Sequence, residues 1–457
     1  MQHDLIVIGA GQAGVPLATR FAAAGRQVLL VERSRVGGTC VNYGCTPTKT
    51  MVASARAAHV ARTGARLGVR VLEVSVDFEA VVSRKDAVVS QWRASLDRRL
   101  AEPGDRLRLA RGHARFTGER EIEVGGERHR AKVVVVNVGV RPAPPPVPGL
   151  IASAWLDNHR LLGLRELPRH LVVLGGGYIG CEFAQMFRRF GSAVSVVQRA
   201  SHLLDREDED VSEALEEVFR REGVALHLDA RVAGAFQRGP SEVGLTLEDG
   251  REIAGSHLLG AVGRRPNTDD LACEQAGVRL DTRGYIPVND AFETSAAGVY
   301  AVGDVTGGAQ FTHTSWDDHR ILFDILEGRR KGGRSGRVIP YTVFTDPQVA
   351  GVGLSEREAR RRGLAFEVAR MPFGQIARAI EIDEPAGLLK VLVDPATERI
   401  LGASLVGAEA GELVHILAAL MQAGASARAV VDVEMAHPTF AEGLQSAVMQ
   451  LKRFALR

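Results

Sequence analysis

Cys40 and Cys45 stand with four residues between them in the run Gly37-Gly-Thr-Cys-Val-Asn-Tyr-Gly-Cys-Thr-Pro-Thr-Lys49. Taken alone, such a pair could be buried thiols or part of a metal site. The residues just past Cys45 favour redox chemistry. Thr46, Pro47 and Thr48 predict a helix start with proline in its first turn, and the partial positive charge there favours a thiolate. Near the other end of the chain stands His437-Pro-Thr-Phe-Ala-Glu442. A lone histidine is more often structural, and a glutamate at a helix start can be a cap. Together they permit a general acid/base whose imidazolium is steadied by a carboxylate, which thiol–disulfide exchange requires.

Two segments that could position such chemistry repeat one plan. In the first, an apolar strand at 5–8 leads into Gly9-Ala-Gly11-Gln-Ala-Gly14, then a helix with Leu17, Ala18 and Phe21, and a strand at 28–31 ending at Glu32. The second has a strand at 171–174, then Gly175-Gly-Gly177-Tyr-Ile-Gly180, a helix through Phe183 and Phe187, and a strand at 194–197. Both predict βαβ units that bind a dinucleotide, with the pyrophosphate at the helix N-terminus. One such motif is a weak signal, and two in full strand–helix–strand context are a strong one. The dithiol run directly after the first unit points to a flavin coupled to a redox disulfide.

The units differ 18 residues beyond their last glycine, where the first has Glu32 and the second Gln198, followed by Arg199. A carboxylate accepts hydrogen bonds from a ribose diol, whereas an amide removes repulsion of a 2′-phosphate that an arginine can pair with. The first unit is therefore assigned FAD and the second NADPH, with NADH left open and Arg206 as a second cation. Arg199 could equally be a solvated surface residue.

A second echo sets Val138-Gly-Val-Arg-Pro142 against Val262-Gly-Arg-Arg-Pro266, predicting the places where the chain crosses between domains. Residues 143–149, with four prolines, predict a stiff linker. Residues 298–304 predict a strand ending in Gly303-Asp304, whose aspartate could bind a hydroxylated cofactor chain or simply make a turn. Residues 50–101 predict a mostly helical insertion. Strands at 341–344, 387–393 and 400–406 with helices at 409–423 and 441–454 predict a C-terminal α+β domain. His313 and His319 alternate with Asp317 and Asp318, but a capped helix N-terminus near Thr312 is favoured over a metal site, and no resident metal is expected. Cys181 is read as core and Cys273 as a helical thiol without a role.

At 457 residues the chain implies several domains, and 45% hydrophobic with 5% aromatic residues fits an α/β protein rich in small aliphatics. A formal charge of +2 argues against a nucleic-acid or membrane partner and for a small molecule. Four cysteines are too few for a secreted disulfide scaffold. A strand almost at the N-terminus leaves no room for a signal peptide, and no apolar run reaches membrane-spanning length. The expectation is a cytoplasmic protein.

Both glycine folds, Cys40 to Cys45 with Pro47 and Lys49, Ala301-Val-Gly-Asp304 and the His437 to Glu442 run, in this order over essentially the whole chain, resemble the class I pyridine nucleotide-disulfide oxidoreductases. That family includes glutathione reductase, dihydrolipoamide dehydrogenase and mercuric reductase. The resemblance implies two Rossmann-like FAD- and NAD(P)-binding domains plus a C-terminal α+β dimerisation domain. The boundaries are 1–149 with 265–338 for FAD, 150–264 for NAD(P)H and 339–457 for the interface. It implies a homodimer in which His437 and Glu442 act on the other subunit's site. It further implies that Lys49 and Glu182 pair beside the flavin, that Asp304 binds the ribityl chain, that Ala114 and Thr312 lie along FAD, and that Val232 and Gly263 touch the nicotinamide nucleotide.

The implied reaction passes hydride from NADPH to FAD and then electrons to the Cys40–Cys45 disulfide, Cys45 facing the flavin and Cys40 being the outward attacking thiol. The acceptor would be a small-molecule disulfide or a soft metal ion, Hg(II) or Cu(II). The run from Val41 to Thr50 and that from Phe311 to Asp318 look most like the mercuric-reductase branch, but the last residues lack a vicinal cysteine pair and no metal-capture domain precedes the first strand. Gln198 and Arg199 argue against a lipoamide dehydrogenase. Dihydrolipoamide dehydrogenase-like or glutathione reductase-like activity, a redox-sensing flavoprotein and a quinone-reducing diaphorase are the alternatives. The acid/base set argues against a sensor.

Overall fold

In a computed structural model, residues 1–239 and 241–454 are described. The chain divides into two compact units. One comprises Met1–Thr50, Val82–Ala143 and Gly263–Arg337, the other Met51–Val81, Pro144–Val262 and Val338–Arg457.

The first unit is built on a seven-stranded sheet. Strand Gln2–Ile8 lies at its centre, parallel to Val28–Glu32 on one side and to Glu127–Val136 on the other. Leu5, Ile6, Val7 and Ile8 are all buried, the unbroken apolar run expected of a parallel strand covered on both faces. Each such side chain stabilises the fold by roughly 1.5–3 kcal/mol. Strand Glu127–Val136 has two further partners: its first four residues take the antiparallel strand Glu121–Val124, and its last three align with Val299–Ala301 in parallel. Helix Gly14–Ala23 covers the sheet through Leu17, Ala18 and Phe21, and Phe21 meets Phe323 of helix Thr312–Leu326 with ring centroids 4.7 Å apart.

The second unit contains a parallel sheet ordered Ala225–His227, Ala193–Val197, His170–Leu174, His257–Gly260. Helix Tyr178–Phe190 packs Phe183, Phe187 and Phe190 inward. Beside it lies a three-stranded antiparallel sheet, Val232–Gln237, Val243–Leu247 and Glu252–Gly255. The C-terminal part is a five-stranded antiparallel sheet covered by helices Ala410–Gln422 and Ala441–Val448. Two of its strands, Gln348–Gly353 and Glu367–Pro372, lie outside the expected ones, and its last helix ends at Val448 rather than 454. Beyond Met449 the chain turns so that Leu451 and Phe454 enter the core.

The two echoed crossover segments are partners of one another. Val140–Pro142 and Arg264–Pro266 form an antiparallel ribbon in the first unit, with Arg265 opposite Arg141. The proline-rich stretch is more packed than a linker: Val147 lies against the apolar cluster of the second unit, and a Cβ at Gly260 would come 2.7 Å from the Pro145 ring.

Candidate functional site

Two helices in tandem set the cysteines. Gly37 and Gly38 have φ of 100° and 59°, a turn that L side chains resist, and helix Gly38–Tyr43 carries Cys40. Gly44 breaks the run, and a Cβ there would approach the Thr39 carbonyl oxygen to 2.9 Å. Cys45 then opens helix Cys45–Thr63, at the N-terminus expected for it. Asn42 stitches this corner together. Its amide donates to the carbonyls of Val36 at 3.0 Å and Gly38 at 2.9 Å, and it accepts from Arg93 Nε at 2.6 Å. Two of these partners are local and the third, Arg93, lies 51 residues away, so the sequence does not mark the whole set.

Cys40 and Cys45 are both thiols in this structure. A hydrogen bond to Cys45, followed by burial, pushes the Cys40 thiol well up, against which Thr312 and the ammonium of Lys49 favour its thiolate. Cys45 Sγ lies 3.2 Å from Thr312 Oγ1. Cys45 is exposed and Cys40 half-buried. Cys45 sits at the tip of its helix, and Cys40 lies in the middle of the short helix before it.

The first glycine fold is a close-fitting cradle. A Cβ at Gly9 would lie 2.3 Å from the Asn137 carbonyl oxygen, and one at Gly14 would lie 2.0 Å from the Gly9 oxygen. Asn137 Nδ2 donates to that oxygen at 3.2 Å and would also meet a Cβ at Gly11. Glu32 ends its strand with Oε2 accepting from Ala10 N at 2.9 Å and Oε1 from Ser34 N at 2.7 Å. Each oxygen keeps a lone pair for a ribose hydroxyl. Asp304 sits in the turn Gly303–Thr306, where burial pushes its carboxyl up and Arg264 opposes this. Ala114 opens strand Ala114–Gly118 with its side chain in the core, which leaves only its backbone to meet a ligand. Thr312 is the first residue of its helix, but Phe311 stands before it and offers no side-chain cap, contrary to the expected capped start.

The second fold repeats the first. Cβ atoms at Gly175 and Gly180 would come within 2.5 Å of Ala261 O and 2.0 Å of Gly175 O, whereas one at Gly177 would meet nothing within 4 Å. Gln198 Oε1 accepts from Gly176 N at 3.1 Å and its Nε2 donates to the His202 carbonyl at 3.3 Å. Arg199 and Arg206 are exposed. Val232 opens its strand half-buried, and Gly263 has φ of 131° with open space where a Cβ would stand. Glu182 is buried and accepts from the Phe344 backbone N at 2.8 Å.

His437 and Glu442 come together as expected: Nδ1 lies 2.9 Å from Oε2, the imidazole largely exposed and the carboxylate largely covered. Glu442 is in the first turn of helix Ala441–Val448. An apolar groove of about 480 Å³ beside them is lined by residues that include Ile416, Leu420, Val433 and Met435. Cys181 is core, its thiol pushed up by burial and its Sγ donating to Gly176 O at 3.3 Å. Cys273 is also buried, in the short 3₁₀ turn Cys273–Ala276, with its thiol raised to about 11. His319 is buried while His313 is exposed and stacks on Phe311. Among the described residues no helix is long and apolar enough to cross a membrane.

Two glycine-turn βαβ folds, a pair of thiols at the start of a helix and a His–Glu pair are the parts that a flavin- and nicotinamide-dependent disulfide oxidoreductase requires. Residues 3–318 match the pyridine nucleotide-disulphide oxidoreductase family, and residues 339–448 match that family's dimerisation domain. The chain belongs to this family, whose members depend on FAD and use NAD(P)H. It is 36% identical over 459 residues to the probable pyridine nucleotide-disulfide oxidoreductase RclA of Escherichia coli, covering 99% of this chain and 100% of that one. It is 32% identical to the mercuric reductase of Lysinibacillus sphaericus, covering 98% of this chain and 82% of the other. The structure of RclA of Escherichia coli as a Cu(II) complex superposes with a TM-score of 0.90 at 35% identity, over 99% of this chain and 100% of that one.

Proposed function

We propose that the protein is an NADPH-dependent reductase of a small-molecule disulfide or a soft metal ion, Cu(II) or Hg(II), working through Cys40 and Cys45. The observation that carries this reading is the placement of Cys45 Sγ at a helix N-terminus, 3.2 Å from Thr312 Oγ1 and beside Cys40, in the unit that holds the Glu32 cradle. Glu32 and the Gly9, Gly11 and Gly14 turn would hold the adenosine half of FAD, and Asp304 its hydroxylated chain. FAD, when bound, supplies the two-electron relay between a nicotinamide and the sulfurs. Gly175, Gly177 and Gly180 would seat the pyrophosphate of NADPH, with Arg199 on the 2′-phosphate. Val232 and Gly263 would flank the nicotinamide nucleotide.

In the reduced enzyme, the Cys40 thiolate attacks one sulfur of the acceptor disulfide. The acceptor S–S bond breaks, a mixed disulfide forms, and one thiolate leaves. Cys45 then attacks Cys40 Sγ, restoring the Cys40–Cys45 bond and releasing the second thiol. Lys49 favours the attacking thiolate. His437 protonates the leaving sulfur through Nε2, because Glu442 holds Nδ1. The family's dimerisation domain and the apolar groove beside His437 support a homodimer in which this pair serves the other subunit's cysteines. A Cu(II) or Hg(II) acceptor would instead be bound by both sulfurs.

The test is anaerobic NADPH oxidation with Cu(II) and Hg(II) in excess thiol, glutathione disulfide, lipoamide and a quinone, each repeated with Cys40→Ser. Turnover of a metal ion or a disulfide that collapses in the variant supports the proposal. Turnover of the quinone alone, unchanged in the variant, would make the protein a diaphorase.

A further inference from the structure

Arg264 heads the ribbon strand Arg264–Pro266, immediately after the chain re-enters the first unit. Its guanidinium reaches Asp304 Oδ2 at 3.2 Å through Nη1 and the Gln310 carbonyl at 3.1 Å through Nη2. The strand itself is held from behind, since Tyr285 OH donates to the Arg264 carbonyl at 3.4 Å and accepts from Gln310 Nε2 at 3.0 Å. A planar fork fixed at both ends and by its own backbone is a preorganised counter-ion rather than a solvated arginine.

Asp304 has few other means of staying ionised. Its second oxygen lies 3.5 Å from Ser315 Oγ. The other charges around its turn are already engaged. Asp318 accepts from Gly303 N at 2.8 Å and pairs with Arg337 at 2.8 Å, while Arg334 reaches Thr306 Oγ1 at 3.4 Å. Gly303 has φ of 75° and a Cβ there would meet Ser315 Oγ at 2.8 Å, so the turn that carries Asp304 requires glycine. Burial opposes the charged form of Asp304, and Arg264 is the cation that favours it.

We infer that Arg264 is a positioning residue for FAD, keeping Asp304 ionised and oriented so that its carboxylate accepts hydrogen bonds from the cofactor's hydroxyls. This rests on the proposal that Asp304 binds the hydroxylated chain of FAD. The pairing sets the sign of the pH effect. Without Arg264 the carboxyl of Asp304 rises further, so FAD binding suffers most in mild acid and recovers as rising pH ionises Asp304 again.

The experiment is a titration of the deflavinated full chain with FAD, followed by quenching of flavin fluorescence between pH 5.5 and 8.5. The forms compared are wild type, Arg264→Met, Arg264→Lys, Asp304→Asn and the double variant Arg264→Met with Asp304→Asn, with melting of each apoprotein as the control for folding. The expected result is an Arg264→Met dissociation constant raised about tenfold at the acid end, with the gap narrowing toward pH 8.5. Arg264→Lys should keep most of the affinity. Asp304→Asn should bind weakly at every pH, and adding Arg264→Met to it should cost nothing more. Wild-type affinity for Arg264→Met at all pH values, with Asp304→Asn still weak, would overturn the role of Arg264 alone. Wild-type affinity for Asp304→Asn would overturn the assignment of Asp304 as well. Should Arg264→Met fail to fold, Arg264→Gln, which keeps hydrogen-bond donors but no charge, replaces it in both backgrounds: it should weaken FAD binding with Asp304 present and not with Asp304→Asn, and equal losses in the two backgrounds would overturn the role of Arg264.

Discussion

The two glycine folds do the same backbone work with different charges. Glu32 Oε2 accepts from Ala10 N, one residue past Gly9, and Gln198 Oε1 accepts from Gly176 N, one residue past Gly175. In both, the side chain at the end of the second strand ties down the glycine turn, so the turn's shape does not depend on the charge. What differs is the other end of the side chain. The second oxygen of Glu32 takes a backbone N–H and leaves a negative charge at the site, while Gln198 donates to the His202 carbonyl and leaves none. Selection between a plain and a phosphorylated ribose can therefore change without refolding the turn. A second difference lies beneath the loops. Asn137 packs its amide under the first turn and crowds Gly11 and Gly14, whereas Ala261 takes the corresponding place in the second and Gly177 stands open. On the proposed assignment, the more crowded turn is the one that would hold FAD and the more open one NADPH.

The comparison is tested most severely at the pair Cys40 and Cys45, which has no counterpart in the second fold. Cys40→Ser and Cys45→Ser should each lower disulfide or metal-ion reduction by at least about a thousandfold, since the exchange has no other nucleophile pair. Quinone reduction by the same preparations should persist, because it draws on the flavin alone. Parallel loss of both activities would mean that the variants disturb the flavin fold rather than the exchange.

Next come the crowded glycines. Gly14→Ala and Gly180→Ala each force a Cβ to 2.0 Å from a carbonyl oxygen, an overpacking of roughly 1–3 kcal/mol. The outcomes should separate. Gly14→Ala should be purified depleted of flavin, and Gly180→Ala should keep its flavin but show a KM for NADPH raised about tenfold or more. Absorbance at the flavin band and steady-state kinetics read the two effects. If both variants lose flavin equally, the two folds do not hold separate dinucleotides.

Gln198→Glu addresses the charge difference directly. A carboxylate there can still accept from Gly176 N, so the loop should keep its shape while a 2′-phosphate is repelled. The ratio of kcat/KM for NADPH to that for NADH should fall by about ten- to a hundredfold, and flavin content should not change. An unchanged ratio would show that selection lies elsewhere on the surface, with Arg199 and Arg206 no more than solvated arginines.

These contrasts are unevenly legible in the sequence. Both βαβ units, the helix opening at Cys45 and the His437–Glu442 contact are local, and their spacing is enough to find them. Strand Gln348–Gly353 is not legible in this way, because it is half glycine and small residues and is buried on both faces, so no alternation marks it. Glu367–Pro372 ends in proline and sets Val368 beside Ala369, so its sequence does not alternate although its burial, at Ala369 and Met371, does. The last helix looks longer in sequence than it is, because Leu451 and Phe454 continue its apolar spacing while the chain has already left helical geometry. The pairing of Arg264 with Asp304 spans 40 residues and has no local sign. Asn137 acts through the Gly9 carbonyl, and Asn42 accepts from Arg93, each brought near only by the fold.

The smallest expected effect concerns how the two folds respond to acid. His3 and His319, both in the first unit, are held neutral by burial, with values lowered to about 4. An imidazole whose folded value lies below its ordinary one makes the unfolded chain bind more protons in between, so stability falls as pH drops from about 6.5 toward 4. In the second unit His59, His170, His227 and His257 are also lowered by burial, but less far than His3 and His319, and Nδ1 of His319 has no hydrogen-bond partner among the described residues. Acid should therefore loosen the flavin fold first, with flavin fluorescence rising at a higher pH than the loss of far-ultraviolet ellipticity. His319→Gln should lessen the fall in Tm between pH 7 and pH 5 by about 2–4 °C. Coincident transitions by the two probes, with no change in the variant, would show that acid stability is shared by both units and owes nothing to this buried imidazole.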